Sequence, residues 1–265
     1  MTQTIYKPSL MQKLLGRQYK WWYLFVYGVK SNNVYFISDT LWYLGQLLFI
    51  FSFIFVYSKV SDRELLHEII LTNLFSSFVA FQVCFPVNDS IASGGNITTY
   101  LLQPSNIKLR FLIHTLGVTL KAIILNIILF LLILYIFGFT LKIINFLVIS
   151  IFVISVGVAI KFFADFIIGS LTFWTKNGYG QINLFLTSYA ILNGSLISFQ
   201  FLPKVFKLNP FAFIAYHPMQ IYLGKYSPLE TFNVFAGGIA WCIVLYFLAK
   251  WVFKAGLKRN EAVGL

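Results

Sequence analysis

Lys161 and Asp165 are the side chains of this sequence best placed to do chemistry. They stand four residues apart within one long apolar stretch. That spacing puts an ammonium and a carboxylate on the same helix face, where they can pair. Charges inside apolar stretches are costly; they mark ion paths, proton relays and substrate contacts, or else serve as paired structural anchors. Lys121 lies in the preceding apolar stretch. If the two stretches form an antiparallel hairpin, Lys121, Lys161 and Asp165 reach a similar depth and form a small ionic cluster toward the cytoplasm. Other chemistry is sparse. The chain has eight acids and three histidines, and His67, His114 and His217 are far apart. No Asp-rich, His-Glu-x-x-His or Gly-x-Ser-x-Gly motif occurs, so an intramembrane enzyme would lack its clustered acids, bases or ligands. Cys84 and Cys242 both fall in apolar stretches, and nothing in their spacing suggests a disulfide or a metal site. Catalytic and metal residues are therefore expected to be none.

The elements that must position these residues are apolar helices. The chain is 59% hydrophobic and 11% charged, where a soluble domain carries roughly a quarter charged residues. A run of about 20 apolar residues spans a bilayer as a helix. Spans are expected near Tyr35–Tyr57, Leu65–Val87, Phe111–Phe139, Ile143–Phe173, Ile182–Leu202 and Phe232–Phe253. The fold class is all-α, a polytopic membrane protein with six transmembrane helices in one domain over residues 1–265. The net charge of +12 raises the question of nucleic acid. Its distribution favours the bilayer instead: with the N-terminus inside, twelve Lys and Arg lie on the cytoplasmic side and six outside. Both termini are then cytoplasmic, in a plasma membrane of bacterial type, and no nucleic-acid partner is expected. No cleavable signal peptide is evident. Residues 1–34 form a cytoplasmic arm, in which Leu10–Val26 puts Lys13, Arg17 and Lys20 opposite Met11, Leu14, Trp22 and Phe25, the pattern of an interfacial helix. The third and fourth spans exceed the length needed, so Lys121 and Lys161 are expected to snorkel to the headgroups.

Two spans carry polar stripes: Thr72, Asn73, Ser76, Ser77 and Gln82 in the second, and Thr187, Ser188, Asn193, Ser195 and Ser198 in the fifth. Such residues either line a pathway, with Asn73, Ser77, Asn193 and Ser195 the candidates, or glue helices together. The segment 203–230 is rich in both proline (Pro203, Pro210, Pro218, Pro228) and aromatic residues. Proline breaks helices, so short helices dipping into the outer leaflet are expected, buried against protein.

The loop 88–106 carries Gly94 and Gly95, then Asn96 as an N-cap, then Ile97, Tyr100 and Leu101 at helical spacing, and Pro104 as a stop. A helix of two turns is unstable alone and must dock on something. The order Ile91, Ser93-Gly94, Ile97, Tyr100-Leu101-Leu102 and Pro104 resembles the first cytoplasmic loop of ABC-2-type transporter permeases. Phe173-Trp174, the Pro-rich stretch through Tyr222-Leu223-Gly224, and the terminal Gly256-Leu257-Lys258-Arg259 resemble further pieces of that family. The family often has a charged residue where Asn96 stands and Arg where Gln103 stands, which bears on the choice of ATPase partner.

The resemblance implies a half-transporter, the membrane subunit of an exporter. Two permease chains, identical or homologous, pair with two cytoplasmic ABC ATPase subunits. The turn 97–103 becomes a coupling helix, with Gly94, Ile97, Thr98, Tyr100, Leu101, Leu102 and Pro104 as the coupling residues. The segment holding Pro203, Pro210 and Pro218 becomes the external gate. The chain has no Gly-x-x-x-x-Gly-Lys-Ser/Thr phosphate loop, so it is not expected to be an enzyme and takes no cofactor itself; ATP and Mg belong to the partner subunit. The apolar interior favours an amphipathic or apolar cargo such as a drug, peptide or lipid. An ATP-independent secondary transporter and a non-transporting sensor or assembly protein are the competing readings.

Overall fold

The computed structural model describes residues 18–31, 45, 48, 52, 55, 63–79, 81–93, 97, 102, 106–136 and 143–261. These residues form helices and connecting turns, and no strand occurs among them. Two helical stretches among them, Ser155–Thr175 and Pro228–Arg259, are long and apolar enough to cross a bilayer. The first is mostly buried within the protein and the second mostly outward-facing. The expected first span lies outside the described residues, except that 45, 48, 52 and 55 are helical.

Helix α1 (Tyr19–Ser31) runs past the expected end at Val26; the part of the expected arm helix before residue 18 is outside the described residues. It packs on α4 (Ile107–Ile136). The two backbones touch at a pair of glycines. A Cβ on Gly28 would strike the His114 carbonyl, and one on Gly117 would strike the Phe25 carbonyl and lie 3.3 Å from Gly28 Cα. Small residues at such a crossing let helices approach to backbone contact.

The second expected span is two helices, not one. Helix α2 (Arg63–Ser77) ends in a turn at residues 78–79, residues 81–83 belong to no helix, and α3 (Cys84–Ala92) begins. Pro86 stands in the first turn of α3, where its missing N–H leaves no bond unmade. The fourth span runs as α5 (Ile143–Phe152), a π-helical turn Val153–Gly157, and α6 (Val158–Ser170). A short α7 (Thr172–Thr175) follows, and then α8 (Tyr179–Leu192). Helix α8 stops ten residues before the expected Leu202. Gly194 takes φ 85°, a left-handed value that glycine adopts without penalty. The Gly194 N–H donates to Ile191 O (3.2 Å) and the Leu196 N–H to Ala190 O (2.9 Å). These bonds close the helix end.

The Pro-rich segment forms two 3₁₀ turns, Lys204–Leu208 and Pro210–Phe213, and then helix α9 (Tyr216–Leu223). Asn209 caps the second turn, its side-chain oxygen accepting from Phe211 N and Ala212 N. Helix α9 is buried from Tyr216 to Tyr222 and packs on α2 and α5. Irregular backbone among apolar side chains needs internal partners. Here His217 Nε2 meets Lys207 O (2.9 Å), Trp241 Nε1 donates to Leu208 O (2.9 Å), Asn209 Nδ2 to Leu192 O (2.9 Å) and Asn145 Nδ2 to Tyr222 O (3.2 Å). Helix α10 (Pro228–Glu261) closes the bundle against α6 and α7. A core of aromatic and aliphatic side chains joins α2, α3, α6, α9 and α10, with Phe166 between Phe111 and Phe253 at centroid distances of 6.4 and 5.1 Å.

Candidate functional site

The break between α2 and α3 leaves backbone groups without helical partners, and the buried ion pair supplies them. Lys161 Nζ donates to Asp165 Oδ1 at 2.5 Å and to the Phe81 carbonyl at 3.1 Å. The Val83 N–H donates to Asp165 Oδ2 at 2.8 Å. Both side chains are sealed from solvent, at 2% and 0% exposure. Lys161 therefore does not snorkel as expected: its chain turns inward because a carboxylate and an orphaned carbonyl lie within reach. The rings of Tyr189, Phe185 and Phe81 surround its ammonium at 5.2, 5.7 and 5.7 Å, a geometry that adds cation–π attraction. An unpaired buried backbone group costs about 1–3 kcal/mol. The pair thus neutralises itself along one helix turn of α6 and spends its remaining hydrogen-bonding capacity on the neighbouring break. The side chain of Lys121 lies outside the described residues.

Helix α3 is tied again at its middle, one turn further on. Asn88 is buried, and its Oδ1 accepts from Thr172 Oγ1 (2.7 Å) and from the Gly178 N–H (2.8 Å). Asp89 Oδ1 accepts from Tyr179 Oη (2.8 Å). The helix leading into the 88–106 loop is therefore fastened to the turn between α7 and α8. Beyond it, Ile97 is helical and buried in the core of its own chain at 1% exposure, while Leu102 is helical and 83% exposed. Of the two, Leu102 is the one that presents an apolar surface outward. Gly94, Thr98, Tyr100, Leu101 and Pro104 lie outside the described residues.

The far end of α2 carries a second buried polar cluster. Glu68, 4% exposed at its side chain, accepts from Lys225 Nζ (2.7 Å), Gln200 Nε2 (2.8 Å) and Gln220 Nε2 (3.3 Å). Glu64 lies 3.7 Å from the same ammonium. Hydrogen bonding to Glu68 is the main cause that raises the Lys225 pKa above its ordinary value. These contacts bind the Pro-rich region to α2. Of its prolines, Pro203 precedes the first 3₁₀ turn, Pro210 opens the second, and Pro218 stands in the first turn of α9.

The polar stripes meet between these clusters. Asn73 Nδ2 donates to Ser195 O (2.8 Å), Asn193 Nδ2 to Ser76 Oγ (2.8 Å), and Ser77 Oγ to Leu74 O in its own helix (2.6 Å). Asn193 Oδ1 accepts from the Ser195 N–H (2.8 Å). In this arrangement the stripes bind α2 to the end of α8. Glu68 and Asn88 escaped the sequence reading. Glu68 had a signal, an acid one turn inside an apolar stretch with no cation four residues away on its helix. Asn88 had none, because its partners lie 84 and 90 residues distant.

Among the described residues, no group of three or more His, Cys, Asp or Glu side chains converges as a metal site would require. The model of one protein family, described as ABC-2 family transporter protein, matches residues 23–264. No curated protein and no solved structure matches.

Proposed function

Because the chain belongs to the ABC-2 family of transporter proteins and is thereby a membrane component of an ABC transporter, we propose that it is the six-span permease of an ATP-driven exporter, coupled through residues 97–103 to a separate ATPase. Two ATPase subunits bind two permease chains, and ATP and Mg stay on the ATPases. Both termini face the cytoplasm, and the cargo is amphipathic or apolar. The segment 203–230 closes the external end of the pathway.

One observation supports the coupling step: α3 is a helix separate from α2, tied at the break through Val83 to Asp165 and fastened at Asn88 to Thr172 and Gly178. A push on the loop that follows α3 then reaches two neighbouring helices without bending a continuous span. Leu102 is the outward apolar contact for the ATPase, while Ile97 anchors the loop to its own bundle. A cysteine at Leu102 should crosslink to the ATPase that copurifies in mild detergent. Leu102→Glu should lower transport-coupled ATP hydrolysis about tenfold, the effect of losing about 1.4 kcal/mol at an interface anchor. Labelling of that cysteine in intact cells by a membrane-impermeant reagent would put the loop outside and end this reading.

A broken helix beside buried charges also suits a secondary transporter. Lys161 and Asp165, however, are engaged by each other and by backbone, which suits a structural clamp better than a carrier site. Transport that runs on a proton gradient without ATP would favour the rival.

A further inference from the structure

A cavity of about 380 Å³ opens between α1, α3 and α4, lined by Tyr23, Leu24, Tyr27, Pro86, Arg110, Phe111 and His114. We propose that it binds the phosphate-bearing headgroup of an anionic phospholipid of the cytoplasmic leaflet, with Arg110 pairing to the phosphate. The assignment of the leaflet rests on the topology proposed above; the cavity and its chemistry do not.

Three features point to this occupant. Among the described residues the lining contains a guanidinium, an imidazole and two phenols, all groups that can donate hydrogen bonds to a phosphate. A guanidinium holds phosphate through two parallel N–H donors. Helix α1 presents Trp22, Tyr23 and Tyr27 outward, and exposed Trp and Tyr collect where a protein meets the headgroup layer. Tyr27 also lies against His114, with ring centroids 5.9 Å apart. Apolar walls at Leu24, Pro86 and Phe111 suit the glycerol and upper acyl region of a lipid better than a free anion.

The location gives the site a consequence. Pro86 belongs to the helix that enters the 88–106 loop, and Arg110 to the helix that leaves it. A bound lipid would touch both roots of the proposed coupling loop, along with α1. Its occupancy would thereby restrain their separation.

The test is native mass spectrometry of the full chain in mild detergent, titrated separately with phosphatidylglycerol, phosphatidylcholine and inorganic phosphate. Phosphatidylglycerol should be retained about tenfold more than phosphatidylcholine: both phosphates can meet Arg110, but the choline ammonium cancels the net charge that the guanidinium attracts, a difference of about 1.4 kcal/mol. Arg110→Gln should bring that ratio to about one, and Arg110→Lys should keep part of it. Equal retention of the two lipids by the unaltered chain would overturn the proposal. So would an unchanged preference in Arg110→Gln, or displacement of the lipid by inorganic phosphate at matched concentration, which would assign a free-anion site. If Arg110→Gln does not fold, salt decides: the preference of the unaltered chain should weaken as ionic strength rises, and a salt-independent preference refutes the pairing. None of these measurements requires the ATPase, so they can fail while the transport reading stands, and the reverse.

Discussion

The two buried ionic clusters of this molecule do different work, although each touches one half of the same broken span. The Lys161–Asp165 pair belongs to a single helix turn, and both partners are sealed from solvent. Whatever the surrounding helices do, those two charges stay together. Lys161 donates across to Phe81 O and Asp165 accepts from the Val83 N–H, so they hold a break in position. Glu68 gathers partners from three separate places, Gln200, Gln220 and Lys225, and the ammonium among them is 40% exposed. That cluster holds only while the Pro-rich region lies against α2. One cluster is thus a hinge pin and the other a latch, and the difference lies in where the partners come from in sequence. A pair within a turn survives rearrangement, whereas a cluster between elements is undone by it.

The largest effect should come from Asp165→Ala. It leaves a buried ammonium without its counter-ion, which costs about 3–5 kcal/mol. Unfolding in detergent micelles, followed by far-UV circular dichroism, measures this. The double exchange Lys161→Met with Asp165→Leu sharpens the comparison. Replacing an isolated buried pair by apolar side chains is often neutral or better. Here the double exchange should recover only part of the loss, because Phe81 O and Val83 N remain unpaired at about 1–3 kcal/mol each. Full recovery would mean that the pair does not hold the break.

Glu68→Ala should cost less, about 1–3 kcal/mol, because Lys225 can turn to water and only the buried Gln220 amide is stranded. The two clusters should also fail in different places. Hydrogen exchange should rise across residues 200–225 in Glu68→Ala and across residues 81–84 in Asp165→Ala. Exchange that rises equally in both regions for both variants would erase the distinction between pin and latch.

The extent to which this was legible in the sequence follows the same division. Helix α10 and the long α4 were visible as apolar length, and the Lys161–Asp165 pairing was visible because helical spacing alone dictates it. The break between α2 and α3 was hidden, since residues 78–83 are mostly apolar and contain neither Gly nor Pro. Its one local mark is Pro86, which fits the end of a helix or the first turn of a new one equally well. Only tertiary partners decide, and they lie about 80 residues away. The early end of α8 had a local cause in Asn193-Gly194, but the apolar run beyond, through Phe199 and Leu202, outweighed it by composition. The snorkelling of Lys161 failed as an expectation for the same reason as the break: depth along a helix can be read from a sequence, whereas the presence of an orphaned carbonyl beside it cannot.

The smallest effect belongs to Lys225→Met, which touches only the half-exposed edge of the latch. Glu68 keeps the Gln200 and Gln220 amides as donors, and an ion pair whose cation water reaches is worth about 0–1 kcal/mol, below the loss from Glu68→Ala, which strands a buried amide. Its pH dependence has a definite sign. The Lys225 pKa is raised in the folded chain from an ordinary 10.5, chiefly by its hydrogen bond to Glu68. A group raised on folding contributes fully below its unfolded pKa, and the contribution fades as pH climbs through the folded value. The stability difference between the unaltered chain and Lys225→Met should therefore stay flat from about pH 6 to about pH 9, and shrink only above the ordinary lysine range. Denaturant titrations of the two proteins across that range measure it. A difference that falls away near neutrality would require that the titrating group at the latch is not Lys225. The outer cluster would then be a proton-operated element, and its contrast with the inner pin would be one of chemistry as well as connectivity.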